Sequence, residues 1–372
     1  MPADDPLSLW SSTPYSPIVS PSSSSSTSSP STTIGHHKPS VPYLPGPHHP
    51  LQTLSVWIPP GTSPSAAPPQ PSFIPSGPDP WILYIHGGAW RDPKVTSLSF
   101  RPTALSLLSP SSSSPPPETT GVAGLISINY RLSPHPSRPD PSGSNSAAHP
   151  DHISDVLSAL SFLSSLGIHP RIVVGHSCGA TLAFQSIMDP SRWGLSDSQS
   201  KLRQEPPPPL RQKPQVLVGV NGLYDLSGFI ACPPQGWEGM TSSYKEFVEG
   251  AFGPDPAIWN EIGPASCRPG WGMEWVREEG EDSGEGSITR GKGEKGGEKW
   301  VVLVQSREDG LVPYDQTERM RTRCQEEQGI EVVAEENGEG WGGHDEAWER
   351  GDKLASLLRR ILKDLKGNEL IG

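Results

Sequence analysis

Apolar and polar positions divide the chain into short blocks of two kinds. Compact apolar runs rich in β-branched residues predict strands at 54–58, 81–85, 122–129, 172–174, 215–220, 300–304 and 330–334. The first of these, Leu54-Ser-Val-Trp-Ile58, alternates like an edge strand, whereas Trp81-Ile-Leu-Tyr-Ile85 is apolar throughout, like a buried one. Between them, apolar residues recur at helical spacing. Helices are expected over 96–108, over 151–163 (Ile153, Val156, Leu157, Leu160), from Ala180 to near Met188, and over 313–328 and 345–365. Strands alternating with helices imply the α/β class, a mostly parallel sheet with helices on both faces.

Other stretches lack either period. Residues 1–48 are rich in Ser, Pro and Thr and are expected to form a disordered tail, with the paired histidines His36-His37 and His48-His49 solvated in it. Low-complexity insertions near 109–120, 191–214 and 277–299 read as surface loops, and 225–275 as irregular and aromatic-rich. That leaves 49–366 as one catalytic-sized domain. Composition agrees with dilution by such tracts: 372 residues carry 45 prolines and 39 glycines, and only 33% are hydrophobic.

A net charge of −12 argues against nucleic acid or an anionic membrane surface as partner. The four cysteines (Cys178, Cys232, Cys267, Cys324) are scattered without metal spacing, which suits free thiols in a reducing, cytoplasmic setting. No apolar run reaches membrane-spanning length, and the N-terminus resembles neither a secretory signal nor a mitochondrial presequence.

The chemistry centres on Arg171-Ile-Val-Val-Gly-His-Ser-Cys-Gly-Ala180. A β run, Gly175-x-Ser177-x-Gly179 and a helix-compatible stretch form the strand–turn–helix of a nucleophile elbow, which presents a serine hydroxyl above the sheet. The pentapeptide alone is a weak signal in a chain so rich in Ser and Gly, so the remaining parts of a hydrolase decide its meaning. A serine nucleophile needs a base, and the base an acid, in the chain order Ser, Asp or Glu, His. His344 is the single histidine after Ser177, in the Gly-rich loop Gly340-Trp-Gly-Gly-His-Asp345. For the acid, Asp309 lies just beyond the 300–304 strand, with Glu308, Asp315 and Asp225 as rivals. His86-Gly87-Gly88-Ala89-Trp90, after the strand at 81–85, would supply an oxyanion hole, joined by the Cys178 amide. His86 and His176 read as packing residues, and Cys178 as acting through its amide rather than its thiol.

At these residues the chain resembles the α/β-hydrolases, and specifically the fungal-type kynurenine formamidases (arylformamidases). The resemblance rests on His86–Trp90, Asn129-Tyr-Arg-Leu-Ser-Pro134, His149-Pro-Asp-His152, Gly175–Phe184, Asp309 and Gly343-His344. It implies a triad of Ser177, Asp309 and His344, oxyanion amides on Gly88 and Ala89, and no cofactor or metal. It also implies hydrolysis of N-formyl-L-kynurenine to L-kynurenine and formate, often by a homodimer. Trp90, or the aromatics between 237 and 259, would stack on the aryl part of such a substrate. A general carboxylesterase and a catalytically silent binding fold are the competing expectations.

Overall fold

The computed structural model describes residues 5–19, 32–61, 68–109, 121–135, 145–193, 212–276, 299–327, 330–338 and 340–371. Among them, nine strands form one sheet: β1 (Ser16–Val19), β2 (Thr33–Pro42), β3 (Thr53–Ile58), β4 (Trp81–Ile85), β5 (Gly124–Ile128), β6 (Pro170–His176), β7 (Val216–Val220), β8 (Lys299–Ser306) and β9 (Ile330–Gly338). Their order is β1-β2-β3-β5-β4-β6-β7-β8-β9. The pairs β1–β2, β2–β3 and β3–β5 are antiparallel; β5, β4 and β6 through β9 run parallel.

The helices are α1 (Pro6–Ser11), α2 (Arg101–Leu108), α3 (Asp151–Ser165), α4 (Cys178–Gln185), α5 (Leu226–Ala231), α6 (Thr241–Phe252), α7 (Pro256–Ile262), α8 (Trp271–Val276), α9 (Asp315–Glu326), α10 (Glu346–Arg350) and α11 (Asp352–Ile371). Successive strand residues point to opposite sides of the sheet, and both sides are buried. Leu83, Ile85 and Val173 join the larger core with α3 to α8, while Ile82, Tyr84, Ile172 and Val174 join a second core with α2 and α11. No helix among the described residues is long and apolar enough to cross a membrane.

Three expectations need correction. Residues 5–19 and 32–48 are not a disordered tail; they fold into α1, β1 and β2 against the domain, and only 1–4 and 20–31 lie outside the described residues. The cause is a few large apolar side chains hidden in a polar average. Trp10 is fully buried and donates its indole N–H to the Phe73 carbonyl at 3.1 Å; the Tyr15 hydroxyl donates to the same carbonyl at 3.0 Å. Lys38 on β2 is buried between these rings, 4.8 Å from that of Trp10 and 4.5 Å from that of Tyr15. It donates to the Trp10 and Pro71 carbonyls at 2.7 and 2.6 Å, and burial pulls its pKa down to about 8. His36 and His37 are strand residues, His37 stacking on Trp57 with centroids 4.8 Å apart. The segment is therefore a clamp, and Trp10→Ala should destabilise the fold by about 3–5 kcal/mol. A urea midpoint unchanged from wild type would return 5–19 to the status of a tail.

Secondly, β3 is not an edge strand: β2 covers one side and β5 the other, and all six of its residues are buried. Thirdly, the stretch 225–275 carries four helices. Tyr244, Phe247, Val248 and Ala251 fall on one face of α6, and Asp255 caps α7 by accepting from the Ala257 amide at 2.9 Å, with Pro256 following it. Abundant Gly and Pro between these short helices hid their period. The interiors of the three insertions (110–120, 194–211 and 277–298) lie outside the described residues.

Candidate active site

Ser177 stands between the end of β6 and the start of α4, with φ 55° and ψ −124°. A non-glycine residue held there is strained and persists only where its surroundings force it. The Ser177 amide donates to the Val220 carbonyl of β7 at 2.9 Å, and the α4 helix presses down on β4. Gly179 makes that approach possible, because a Cβ there would collide with the Ile85 and His86 carbonyls. Ser177 is thus aimed from a rigid corner at the carboxyl end of the parallel strands, where such folds place their sites.

His344 precedes α10, and its Nδ1 lies 2.8 Å from Asp309 Oδ2; both residues are buried. Asp309 sits in the turn after β8 and accepts three further hydrogen bonds. Gln305 Nε2 donates to Oδ2 at 3.2 Å, while the Leu311 and Val312 amides donate to Oδ1 at 2.8 and 2.9 Å. Its orientation is therefore fixed on both oxygens. The His344 backbone is held as firmly: its carbonyl accepts from His176 Nε2 at 2.9 Å and Asn221 Nδ2 at 3.1 Å. The His176 and His344 rings lie 4.8 Å apart, so the residue beside the serine also anchors the imidazole that would serve it.

The loop after β4 brings three consecutive residues to positive φ: Gly88 (93°), Ala89 (49°) and Trp90 (58°). It lies directly against the elbow, since a Cβ on Gly87 would sit 2.8 Å from His176 Nδ1 and 3.0 Å from Ser177 Cβ. Two side chains hold its shape. The Tyr130 hydroxyl donates to the His86 and Gly87 carbonyls at 3.0 and 3.1 Å, its ring stacked on His86 with centroids 4.4 Å apart. The Cys178 sulfur accepts the Trp90 amide at 3.3 Å. Burial pushes that thiol up to about 11, so it stays protonated and inert. Cys178 thus contributes its sulfur as an anchor for the loop as well as an amide at the start of α4.

The structure separates the rival acids. Asp225 and Asp315 both face Arg319, at 2.8 and 3.1 Å, in a polar cleft lined also by Glu318 and Arg323; Glu308 is exposed. Trp90 is not available to a ligand: it is fully buried, edge-on to Phe252 at 4.8 Å and tilted against Phe247 at 6.1 Å. A large ring following two glycines simply fills the core beneath the loop. Asn221 and Gln305 escaped the sequence reading, and Tyr130 entered it only within the Asn129–Pro134 motif, without a role. Asn221 is buried at φ 47° and ties β7 to β8 through the Ser306 amide at 2.9 Å. An Asn just after an apolar strand is a weak hint of such a left-handed position. Among the described residues, His176, His344 and Asp345 have donors within 4.8 Å of one another, as a metal site would need. One nitrogen of each imidazole is already engaged, His344 Nδ1 by Asp309 and His176 Nε2 by the His344 carbonyl.

Burial also fixes protonation here. It lowers the pKa of His86 to about 4 and, reinforced by the neighbouring His344, that of His176 to about 3. Between those values and the ordinary 6.5 the unfolded chain binds protons that the folded chain refuses. Stability from these two residues is complete above pH 6.5 and is lost as the pH falls below it, by about 2 kcal/mol from each at pH 5. Urea midpoints measured from pH 7.5 to 4.5 should show the decline; a flat profile would contradict buried neutral imidazoles.

A parallel sheet with a strained serine at its carboxyl edge, and a buried His–Asp pair anchored to the residue next to that serine, defines the class: this is an α/β-hydrolase. Solved structures share the fold. An inhibited esterase B from Lactobacillus rhamnosis superposes with TM-score 0.55 at 16% identity, over 90% of this chain and 89% of that one. A truncated carbohydrate esterase from gut microbiota gives 0.51 at 14% identity, over 88% and 96%. No protein-family model matches the chain. Among curated proteins, a kynurenine formamidase-like hydrolase of Fusarium equiseti is 31% identical over 357 residues, 90% of this chain and 98% of that protein. A kynurenine formamidase of Aspergillus versicolor is 31% identical over 283 residues, 74% and 85% of the two chains. The chain belongs to the kynurenine formamidase family.

Proposed function

We propose that the protein hydrolyses N-formyl-L-kynurenine to L-kynurenine and formate, a step of tryptophan breakdown, with Ser177 as nucleophile, His344 as base and Asp309 as its orienting acid. The observation that carries this reading is the buried 2.8 Å contact between His344 Nδ1 and Asp309, which turns the other ring nitrogen into a proton acceptor for the serine beside His176. Ser177 Oγ attacks the formyl carbon as His344 takes its proton. The oxyanion is met by the amides of Gly88, Ala89 and Cys178, already oriented by the positive-φ loop and the first turn of α4. Collapse breaks the C–N bond; His344 returns the proton to the departing arylamine, and water then releases formate from the formyl-serine.

A formyl group needs almost no acyl pocket, while the aryl ketone needs a wall. Among the aromatics at 237–259, Trp237 is the one left partly exposed, edge-on to Phe229 at 6.3 Å, and suits that role better than Trp90, Tyr244 or Phe247, which are all buried. The setting is a reducing one, in keeping with the cytoplasm: Cys178, Cys267 and Cys324 are buried free thiols and Cys232 an exposed one. The test is turnover of N-formyl-L-kynurenine by the purified protein, set beside p-nitrophenyl acetate. Formamide turnover at the higher kcat/KM supports the reading; ester hydrolysis without it makes the protein an esterase.

A further inference from the structure

Helix α6 bridges the two loops that would flank the reacting carbonyl. Near one end, Tyr244 reaches the Leu311 carbonyl on the Asp309 turn. Three residues later, Phe247 packs on Trp90 of the oxyanion loop, and Phe252 follows. The helix therefore roofs the gap between oxyanion loop and acid turn, and whatever projects from it there borders the substrate.

On that border lies an ion pair of unusual placement. Arg91, the residue after the oxyanion loop's Trp90, sets its guanidinium over the Phe247 ring at 5.8 Å and donates from Nη1 to Glu246 Oε1 at 2.8 Å. The arginine side chain is 14% exposed and the glutamate 51%. An ordinary surface pair adds little stability, and neither partner is needed to fold α6, whose apolar face already packs. Only one guanidinium nitrogen is engaged among the described residues, and Glu246 Oε2 has no partner among them. A planar fork of donors and a free carboxylate oxygen thus stand side by side at the rim, two residues from an oxyanion amide.

We propose that Arg91 and Glu246 bind the α-amino-acid end of the substrate, Arg91 taking its carboxylate and Glu246 its ammonium group. A zwitterion matches this pair charge for charge: the carboxylate meets the unused guanidinium donors, the ammonium meets Glu246 Oε2, and the existing Arg91–Glu246 bond keeps both in register. The aryl ketone then spans the distance between this pair and the elbow, leaving the formamide over Ser177. Specificity follows for formylated amino acids carrying both charges, over simple aryl formamides. The inference rests on the formamidase reading.

The experiment crosses protein variants with substrate variants. N-formyl-L-kynurenine is compared with N-formylkynurenamine, which lacks the carboxylate, and with 4-(2-formamidophenyl)-4-oxobutanoate, which lacks the amine. Arg91→Gln should lower kcat/KM for the full substrate about 10- to 100-fold more than for N-formylkynurenamine, mainly through KM. Glu246→Gln should cost the full substrate about 3- to 10-fold more than the deaminated acid, the smaller effect reflecting its exposure. Arg307→Gln serves as control: Arg307 is exposed, on the acid turn, with its guanidinium 5.0 Å over Tyr314. Equal losses on all three substrates would make the pair a mere brace for the loop, and selectivity shifting in the Arg307 variant instead would move the carboxylate site to the acid turn; either overturns the proposal. Wild-type protein inert toward all three formamides would instead overturn the formamidase reading itself.

Discussion

Ser177→Ala is expected to cut kcat on N-formyl-L-kynurenine by about 10⁵- to 10⁶-fold and to abolish labelling by a fluorophosphonate probe. The residual rate would come from the oxyanion amides and from substrate binding, which the substitution leaves in place. Serine and imidazole act as one unit, so His344→Ala should cost about as much, and the double variant scarcely more than either single one. The fold should tolerate the change: alanine removes one oxygen, and the strained backbone at φ 55° is set by Gly179 and by the hydrogen bond from the Ser177 amide to the Val220 carbonyl rather than by the hydroxyl. Melting curves close to wild type would confirm that chemistry and not folding was lost. Retention of even one part in a hundred of the turnover would remove Ser177 from the mechanism.

Asp309→Asn is the second large effect, a fall in kcat of about 10⁴-fold. Each oxygen of Asp309 faces donors only: Oδ2 meets His344 Nδ1 and Gln305 Nε2, and Oδ1 meets two backbone amides. An asparagine must turn its NH₂ toward one of these sets. Facing Oδ2's partners, it confronts Gln305 and forces His344 into the wrong tautomer; facing Oδ1's, it opposes the Leu311 and Val312 amides. Some stability is therefore lost along with activity. Asp225→Asn and Asp315→Asn disturb the ion pairs with Arg319, and Glu308→Gln alters an exposed side chain, so all three should stay within about tenfold of wild type. A collapse of turnover in the Asp315 or Asp225 variant, with Asp309→Asn near normal, would transfer the acid to that residue.

Much of the architecture is legible in the order of residues. The β-branched blocks at 81–85, 172–174, 215–220 and 300–304 became neighbouring parallel strands because continuous apolarity admits burial on both faces. The serine's place between strand and helix was equally plain from its two flanking glycines. What escaped notice was carried by single side chains. Trp10, Tyr15 and Lys38 turn a Ser/Pro-rich terminus into a clamp, and a window average cannot register three residues in forty-eight. Asn221 and Tyr130 hold the site by hydrogen bonds to backbone atoms, which any residue could offer, and Gln305 by one to the Asp309 carboxylate, so no pattern of types announces these roles.

Local order alone determined that this chain would build strands alternating with helices, turn sharply at Ser177, and hold one late histidine and a few acids to serve it. Periodicity and turn chemistry act between residues close in the chain, so they can be read along it. Only the tertiary structure decided that 309 rather than 225 or 315 meets 344, that Trp90 is core and not a binding surface, and that Arg91 finds Glu246 across 155 positions. Those outcomes depend on how packed layers bring distant segments together, and on which partners remain once burial has excluded water.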